Sequence, residues 1–148
     1  MKPLFVLIIV FLVSLAVSSF TSGVDPNLSG KIALSVMLLF TSLGHFKFTQ
    51  GMMMMMPQRL PAKKEFVVAT GIIEILAAIG IHVPAISRLT GILLIIFFIL
   101  ILPSNISAAM RHVNYEKADY SGQGVQYLWF RVPFQVLLIG WTYLFVIR

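Results

Sequence analysis

Cysteine is absent from this chain of 148 residues, and charged residues make up only 11% of it. Without thiols there can be no disulfide scaffold, thiolate metal site, iron–sulfur cluster or thiol–disulfide reaction. The scarcity of charge is equally informative, because a soluble domain carries about 25% charged residues. Hydrophobic residues reach 59%, and the mean hydropathy is +0.96. This composition excludes a soluble enzyme and a disordered tail, and it predicts that most of the surface faces a lipid bilayer.

The few charges are mostly basic, with 11 Lys and Arg against 5 Asp and Glu and a net charge of +6. In a soluble protein such an excess would suggest a nucleic-acid partner. Here the cations lie in short loops between apolar runs, where they report membrane topology instead. We therefore expect no nucleic-acid partner.

Five apolar runs predict an all-α, polytopic membrane bundle. Each is close to the roughly 20 residues that cross a hydrocarbon core as a helix. Helices are expected because a spanning segment must satisfy its own backbone hydrogen bonds. The runs are Pro3–Thr21, Ile32–Phe48, Phe66–Val83, Leu89–Met110 and Val125–Ile147.

The first run has two interpretations. Residues 1–22 are predicted to form an uncleaved N-terminal transmembrane helix, while the remaining membrane domain occupies residues 31–148. The alternative is a signal peptide, since Lys2 precedes the apolar stretch and Ser18 and Ser19 follow it. The other helices keep the same orientation in either case.

The distribution of Lys and Arg predicts the orientation in a bacterial inner membrane. With the N-terminus in the cytoplasm, seven cations lie on the inner side and three on the outer side, which satisfies the positive-inside rule. Arg131 lies within the last apolar run and is not counted. The C-terminus is then outside. The inner cations are Lys2, Lys47, Arg59, Lys63, Lys64, Arg111 and Lys117, and the outer ones are Lys31, Arg88 and Arg148.

Polar side chains are few within the apolar runs, where exposure to lipid is costly, and six of them are candidates for a buried site. A charge at mid-bilayer costs roughly 2.5–3.5 kcal/mol, so such groups usually face the bundle interior and serve a function. At 1.5 Å per residue, all six lie about 5–13 Å below the cytoplasmic surface. They are His45, Thr70, Glu74, Asn105, Arg131 and Gln135.

This common level predicts one buried polar site in the cytoplasmic half of the bundle. Thr70 and Glu74 share a helix face, as do Arg131 and Gln135. We expect Glu74 and Arg131 to be charge partners, since a long Arg side chain can bridge the turn between their levels. The site binds a ligand in one interpretation. In the other, the pair only neutralises two charges and fixes helix register. In a third, Arg131 reaches the headgroups and Glu74 is protonated.

The histidines and methionines predict neither a metal site nor a haem site. His82 falls on the outer side, away from His45 and His112, and His112 lies beyond the end of its span. Haem takes axial ligands that project inward from facing helices, so haem is not expected. The run Met52–Met56 spreads around a helix and predicts an interfacial segment. No nucleophile elbow or phosphate loop is present, and whether the chain is an enzyme stays open.

The order of several short motifs resembles the DoxX family of small bacterial membrane proteins. The resemblance covers Lys31 to Leu144, and it lies in the combined order rather than in any single motif. The motifs are Leu43-Gly44-His45-Phe46, Met56-Pro57-Gln58-Arg59-Leu60-Pro61, Thr70-Gly71-Ile72-Ile73-Glu74-Ile75, Pro103-Ser104-Asn105-Ile106 and Leu128-Trp129-Phe130-Arg131-Val132-Pro133-Phe134-Gln135.

The resemblance implies a core of four helices, to which the first span is an addition. The family is named after subunits of a thiosulfate:quinone oxidoreductase, and some members are partners in membrane oxidoreductase assemblies. The buried motif residues of the family correspond here to residues that the depth estimate also groups. They are His45, Glu74, Asn105, Arg131 and Gln135. Relatives that use paired cysteines are a poor guide, because this chain has none.

Two functions follow as expectations. In the first, the protein is a redox-associated accessory subunit whose polar site binds a lipid-soluble ligand such as a quinone, beside partner oxidoreductase subunits. In the second, it is a membrane chaperone or assembly partner, and the polar cluster only holds the bundle together. Transport would require a homo-oligomer, since the chain has no inverted repeats.

Overall fold

The computed structural model describes residues 2–21, 23–57 and 60–148, and its long elements are all α-helices. A 3₁₀ turn, Gly124–Tyr127, precedes the last helix, and a π-helical segment, Tyr143–Ile147, extends it. The described residues contain no β-strand, so the all-α prediction is confirmed. The helices are α1 (Lys2–Thr21), α2 (Pro26–Lys47), α3 (Thr49–Met55), α4 (Lys63–Gly80), α5 (Ser87–Met110) and α6 (Leu128–Thr142).

Four segments of the described chain are long and apolar enough to cross a membrane, which fits a multi-pass membrane protein. The predicted fifth crossing, over Phe66–Val83, is not among them. It corresponds to α4, whose 18 residues include three charged residues in the first turn and Glu74. The four segments are Lys2–Phe20, Pro26–Lys47, Ser87–Met110 and Gly124–Ile147.

The cations divide between the two ends of the bundle. Lys2 Nζ contacts Glu116 Oε1 at 2.9 Å, which brings the start of α1 to the loop after α5. At the other end, Lys31 Nζ donates to Ser87 Oγ at 3.4 Å. Arg59 lies outside the described residues. We call the two sides the basic end, with Lys2, Lys47, Lys63, Lys64, Arg111 and Lys117, and the opposite end, with Lys31, Arg88 and Arg148.

Helix α2 is the central helix of the bundle. Asp25 caps its start by accepting from the Leu28 amide at 3.0 Å, and Pro26 occupies the first turn, where its missing N–H costs nothing. Helices α1 and α4 pack along α2, while α5 packs with α6. Apolar side chains of five helices meet in one core, and large apolar side chains also cover much of the outside. This outer surface suits contact with lipid.

Helix α3 carries the methionine run and is held at the basic end by Arg111. The Arg111 Nη2 donates to the carbonyl oxygens of Met55 at 3.0 Å and Met56 at 2.8 Å, which close α3. Gly51 packs against the backbone of Tyr115 so closely that a Cβ there would overlap the Tyr115 carbonyl. The methionine run therefore forms a short helix docked on the loop after α5.

Candidate functional site

The carboxyl group of Glu74 is the centre of a polar cluster between α2 and α4. Its Oε1 lies 3.5 Å from His45 Nε2, and its Oε2 accepts from the Thr41 hydroxyl at 2.8 Å. Glu74 is only 5% exposed. Thr70 joins through the other ring nitrogen, since its Oγ1 lies 3.0 Å from His45 Nδ1. The structure thus joins His45, Thr70 and Glu74, which are three of the six residues predicted to form one site.

The contacts of His45 determine which ring nitrogen carries a proton. Nδ1 lies 3.1 Å from the carbonyl oxygen of Val67, which can only accept, so Nδ1 is the donor. The Thr70 hydroxyl donates to the same carbonyl at 2.8 Å and therefore offers its lone pair to Nδ1–H. Nε2 then faces the carboxyl group of Glu74.

A glycine lets His45 approach α4 this closely. A Cβ on Gly71 would lie 2.9 Å from the Cβ of His45, closer than real Cβ atoms approach other atoms. Gly71 stands between Thr70 and Glu74 in the sequence and faces α2 at the same level. Its missing side chain allows the imidazole to reach both of them.

Asn105 and Gln135 form a second buried pair, between α5 and α6. Asn105 Nδ2 donates to Gln135 Oε1 at 3.4 Å, and Gln135 Nε2 donates to the carbonyl oxygen of Phe98. The two side chains are 3% and 5% exposed. The depth estimate placed them at neighbouring levels, and the structure brings them into contact. No hydrogen bond between described residues links this pair to the Glu74 cluster.

The predicted ion pair between Glu74 and Arg131 is wrong. Both oxygens of Glu74 contact side chains of α2, and Arg131 makes no ion pair with any described residue. Its guanidinium carbon instead lies 6.0 Å from the ring centroid of Tyr127. Estimates of depth fix the level of a residue along a helix but not its direction around the axis, and α4 turns Glu74 towards α2.

One nitrogen of Arg131 has no partner. Its Nε is buried and makes no hydrogen bond with the described part of the chain. Tyr115 lies close enough to interact electrostatically with Arg131; burial, followed by the neighbouring Tyr127, raises the pKa of Tyr115 to about 12. Its phenol is therefore neutral at physiological pH and does not neutralise the guanidinium. Arg131 is a cation with an unused buried donor.

Thr41 belongs to the Glu74 cluster, and the sequence analysis missed it. Its hydroxyl is the shortest contact of Glu74, and it lies four residues before His45 on the same face of α2. That spacing could have identified it.

A further pair, Ser35 and His82, lies nearer the opposite end, where Ser35 Oγ is 3.0 Å from His82 Nε2 and donates to the Ala78 carbonyl at 2.9 Å.

Comparisons with known proteins give a family but no activity. A family model described as "Domain of unknown function (DUF8561)" matches residues 34–146, which include α4, α5, α6 and most of α2. No curated protein and no solved structure matches the sequence.

Proposed function

This chain belongs to the DUF8561 family, and we propose that it is a membrane protein that binds a quinone or a similar lipid-soluble carbonyl compound at the Glu74–His45 pair. It would serve as an accessory subunit of a membrane redox process, beside oxidoreductase partners, as the similarity to the DoxX family implies. The observation that carries the proposal is the contact of 3.5 Å between His45 Nε2 and the carboxyl group of Glu74, two groups able to exchange protons inside an apolar bundle. Quinones take up protons when they are reduced, so such a pair suits them.

The proposal includes five crossings, with α4 as the fifth. Helix α4 accompanies α2 along most of its length, because contacts join Ser35 to Ala78, Thr41 to Glu74, and His45 to Thr70. A helix paired in this way enters the bilayer to the same depth as α2. The charges of its first turn then lie at the basic end. By the positive-inside rule this end faces the cytoplasm of a bacterial cell, with the N-terminus inside and the C-terminus outside.

Two features favour a ligand over a purely structural pair. The distance of 3.5 Å between His45 and Glu74 is longer than the about 2.7–2.9 Å of a charge-assisted hydrogen bond. The contact between His45 and Glu74 is therefore looser than we expect for an ion pair that serves only to hold two helices together. In addition, the buried Nε of Arg131 lacks an acceptor among the described residues. A ligand that extends from the Glu74–His45 pair to Arg131 would supply an acceptor oxygen there, while Thr70 would orient the end that contacts the pair.

The test is to measure binding of decylubiquinone to purified protein in mild detergent, together with the quinone content of its lipid extract. The Glu74→Gln and Arg131→Ala variants are each expected to bind at least tenfold more weakly, since a hydrogen bond to a charged group contributes about 1.5–3 kcal/mol. Both should still insert and fold. The matched controls are Glu65→Gln, an exposed carboxylate on the same helix, and Arg88→Ala at the opposite end. If both site variants bind as the unaltered protein does, the proposal is wrong.

The alternative function is that of a non-catalytic membrane chaperone or assembly partner. In favour of it, the buried carboxyl and amide groups already have partners within the bundle and need no ligand. Both oxygens of Glu74 and both amides of the Asn105–Gln135 pair are paired in this way. In this case purification would recover a stoichiometric partner protein and no quinone. Glu74→Gln would then have no effect on the recovery of that partner.

A further inference from the structure

We infer that a cleft at the basic end binds the phosphate group of an anionic lipid. The cleft has a volume of about 440 Å³ and opens between α3, the start of α4 and the loop after α5. This volume is in the range of small-molecule sites, which is about 300–1,000 Å³. The inference is independent of the quinone proposal. The lining residues that matter are Gln50, Met53, Met54, Lys63, Arg111 and Tyr120.

The charge of the cleft selects an anion. Lys63 and Arg111 line it, and no acidic residue of the described chain does. Arg111 uses Nε and Nη2 to bind carbonyl and hydroxyl oxygens of Ser107, Met55 and Met56, while Nη1 has no hydrogen-bond partner among the described residues. The guanidinium is therefore fixed in place with one nitrogen available. A positioned guanidinium beside an ammonium group suits a phosphate.

The first turn of α4 adds donors to the same place. Lys63 is its first residue, and no side chain caps the helix at Ala62. The first backbone N–H groups of a helix have no partner within it and carry partial positive charge, which favours an anion there. This contribution supplements the two cations that line the cleft.

The apolar part of the lining selects a lipid rather than a small soluble anion. Met53 and Met54 line the cleft beside the cations, and methionine adapts its shape to flexible apolar ligands. The cleft lies at the end where the apolar helices α2 and α5 finish, which is the level of lipid headgroups in a spanning bundle. The negatively charged cytoplasmic leaflet attracts cations near its surface. A phosphate group could then meet Lys63 and Arg111 while the glycerol and upper acyl chain contact the methionines.

Native mass spectrometry of the detergent-solubilised protein tests the inference by titration with phosphatidylglycerol and phosphatidylcholine. The unaltered protein is expected to retain one phosphatidylglycerol with at least fivefold preference. Lys63→Gln should weaken its binding about fivefold, which is the typical effect of one cation near a membrane surface. Lys64→Gln is the matched control, because it removes the same charge from the adjacent residue, which does not line the cleft. It should change binding by less than twofold. Lys63→Arg should retain the preference.

Three outcomes would overturn the inference. Equal losses in Lys63→Gln and Lys64→Gln would mean that general surface charge, not the cleft, attracts the lipid. Equal retention of the two lipids would mean that the site does not select an anion. Displacement of the lipid by an equal concentration of inorganic phosphate would assign the cleft to a soluble phosphate. Failure of quinone binding has no bearing on any of these results.

Discussion

Glu74→Ala is expected to lower the free energy of unfolding by about 2 kcal/mol, the cost of leaving buried polar groups unpaired. The substitution removes the partner of His45 Nε2 and the closest acceptor of the Thr41 hydroxyl, which keeps only the backbone carbonyls of its own helix. Thermal unfolding followed by circular dichroism in detergent measures the change. For a chain of this size, the melting temperature should fall by about 5 °C.

Glu74→Gln separates the structural role of this residue from its proton chemistry. A glutamine amide can donate to Nε2 of neutral His45 and still accept from the Thr41 hydroxyl, so stability should stay within about 0.5 kcal/mol of the unaltered protein. The amide of the variant, unlike a carboxyl group, cannot ionise. Unfolding at the unaltered temperature after Glu74→Ala would contradict the contacts described for α2 and α4. A large loss of stability in Glu74→Gln would contradict the assigned hydrogen bonds of His45.

Gly51→Ala is expected to detach α3 from the loop after α5 and to lower stability by about 1–3 kcal/mol, the usual cost of overpacking. A methyl group at residue 51 would overlap the carbonyl of Tyr115, and the atoms that it meets belong to the Tyr115 backbone, which cannot rotate away as a flexible side chain can. Because α3 carries Met53 and Met54, the same substitution should abolish selective lipid retention. Unfolding and native mass spectrometry measure the two effects on one sample.

Gly140→Ala is the matched control for this substitution. Nothing lies within 4 Å of a Cβ built on Gly140, which is a helical residue of α6. Alanine favours a helix over glycine by about 1 kcal/mol, so stability should be unchanged or slightly higher. If Gly51→Ala unfolds at the same temperature as Gly140→Ala, the close contact between Gly51 and Tyr115 is wrong.

Much of the fold was predictable because long apolar runs have few alternatives to a helix. The runs predict where α1, α2, α5 and α6 lie, since each is long and apolar enough to span a bilayer. The position of α3 could not be predicted from the sequence, because it depends on the hydrogen bonds that Arg111 makes with residues about 55 positions earlier in the chain. No local pattern reports such a contact.

The sequence predicted how deep the residues of the candidate site lie along their helices, but not which way their side chains point around the helix axes. Counting along the helices placed six polar residues at one level, and two pairs of them, Glu74 with His45 and Asn105 with Gln135, are in contact. It failed for Arg131, because the rotation of a helix about its axis depends on packing with neighbours far away in sequence. Close approach at Gly71 and the hydroxyl of Thr41 turn Glu74 towards α2, and neither effect is visible in a single run of residues.

The attachment of α1 has a consequence for how the protein would tolerate truncation. Ser14 donates to the hydroxyl of Ser29, which is 1% exposed, and Phe11 packs against Trp141 with ring centroids 4.9 Å apart. If the first 21 residues were removed, a hydroxyl group and a large aromatic ring would face hydrocarbon chains without their present neighbours. Helix α1 thus covers one side of the bundle, and in a shortened chain lipid or another protein would have to cover the side chains that α1 now contacts.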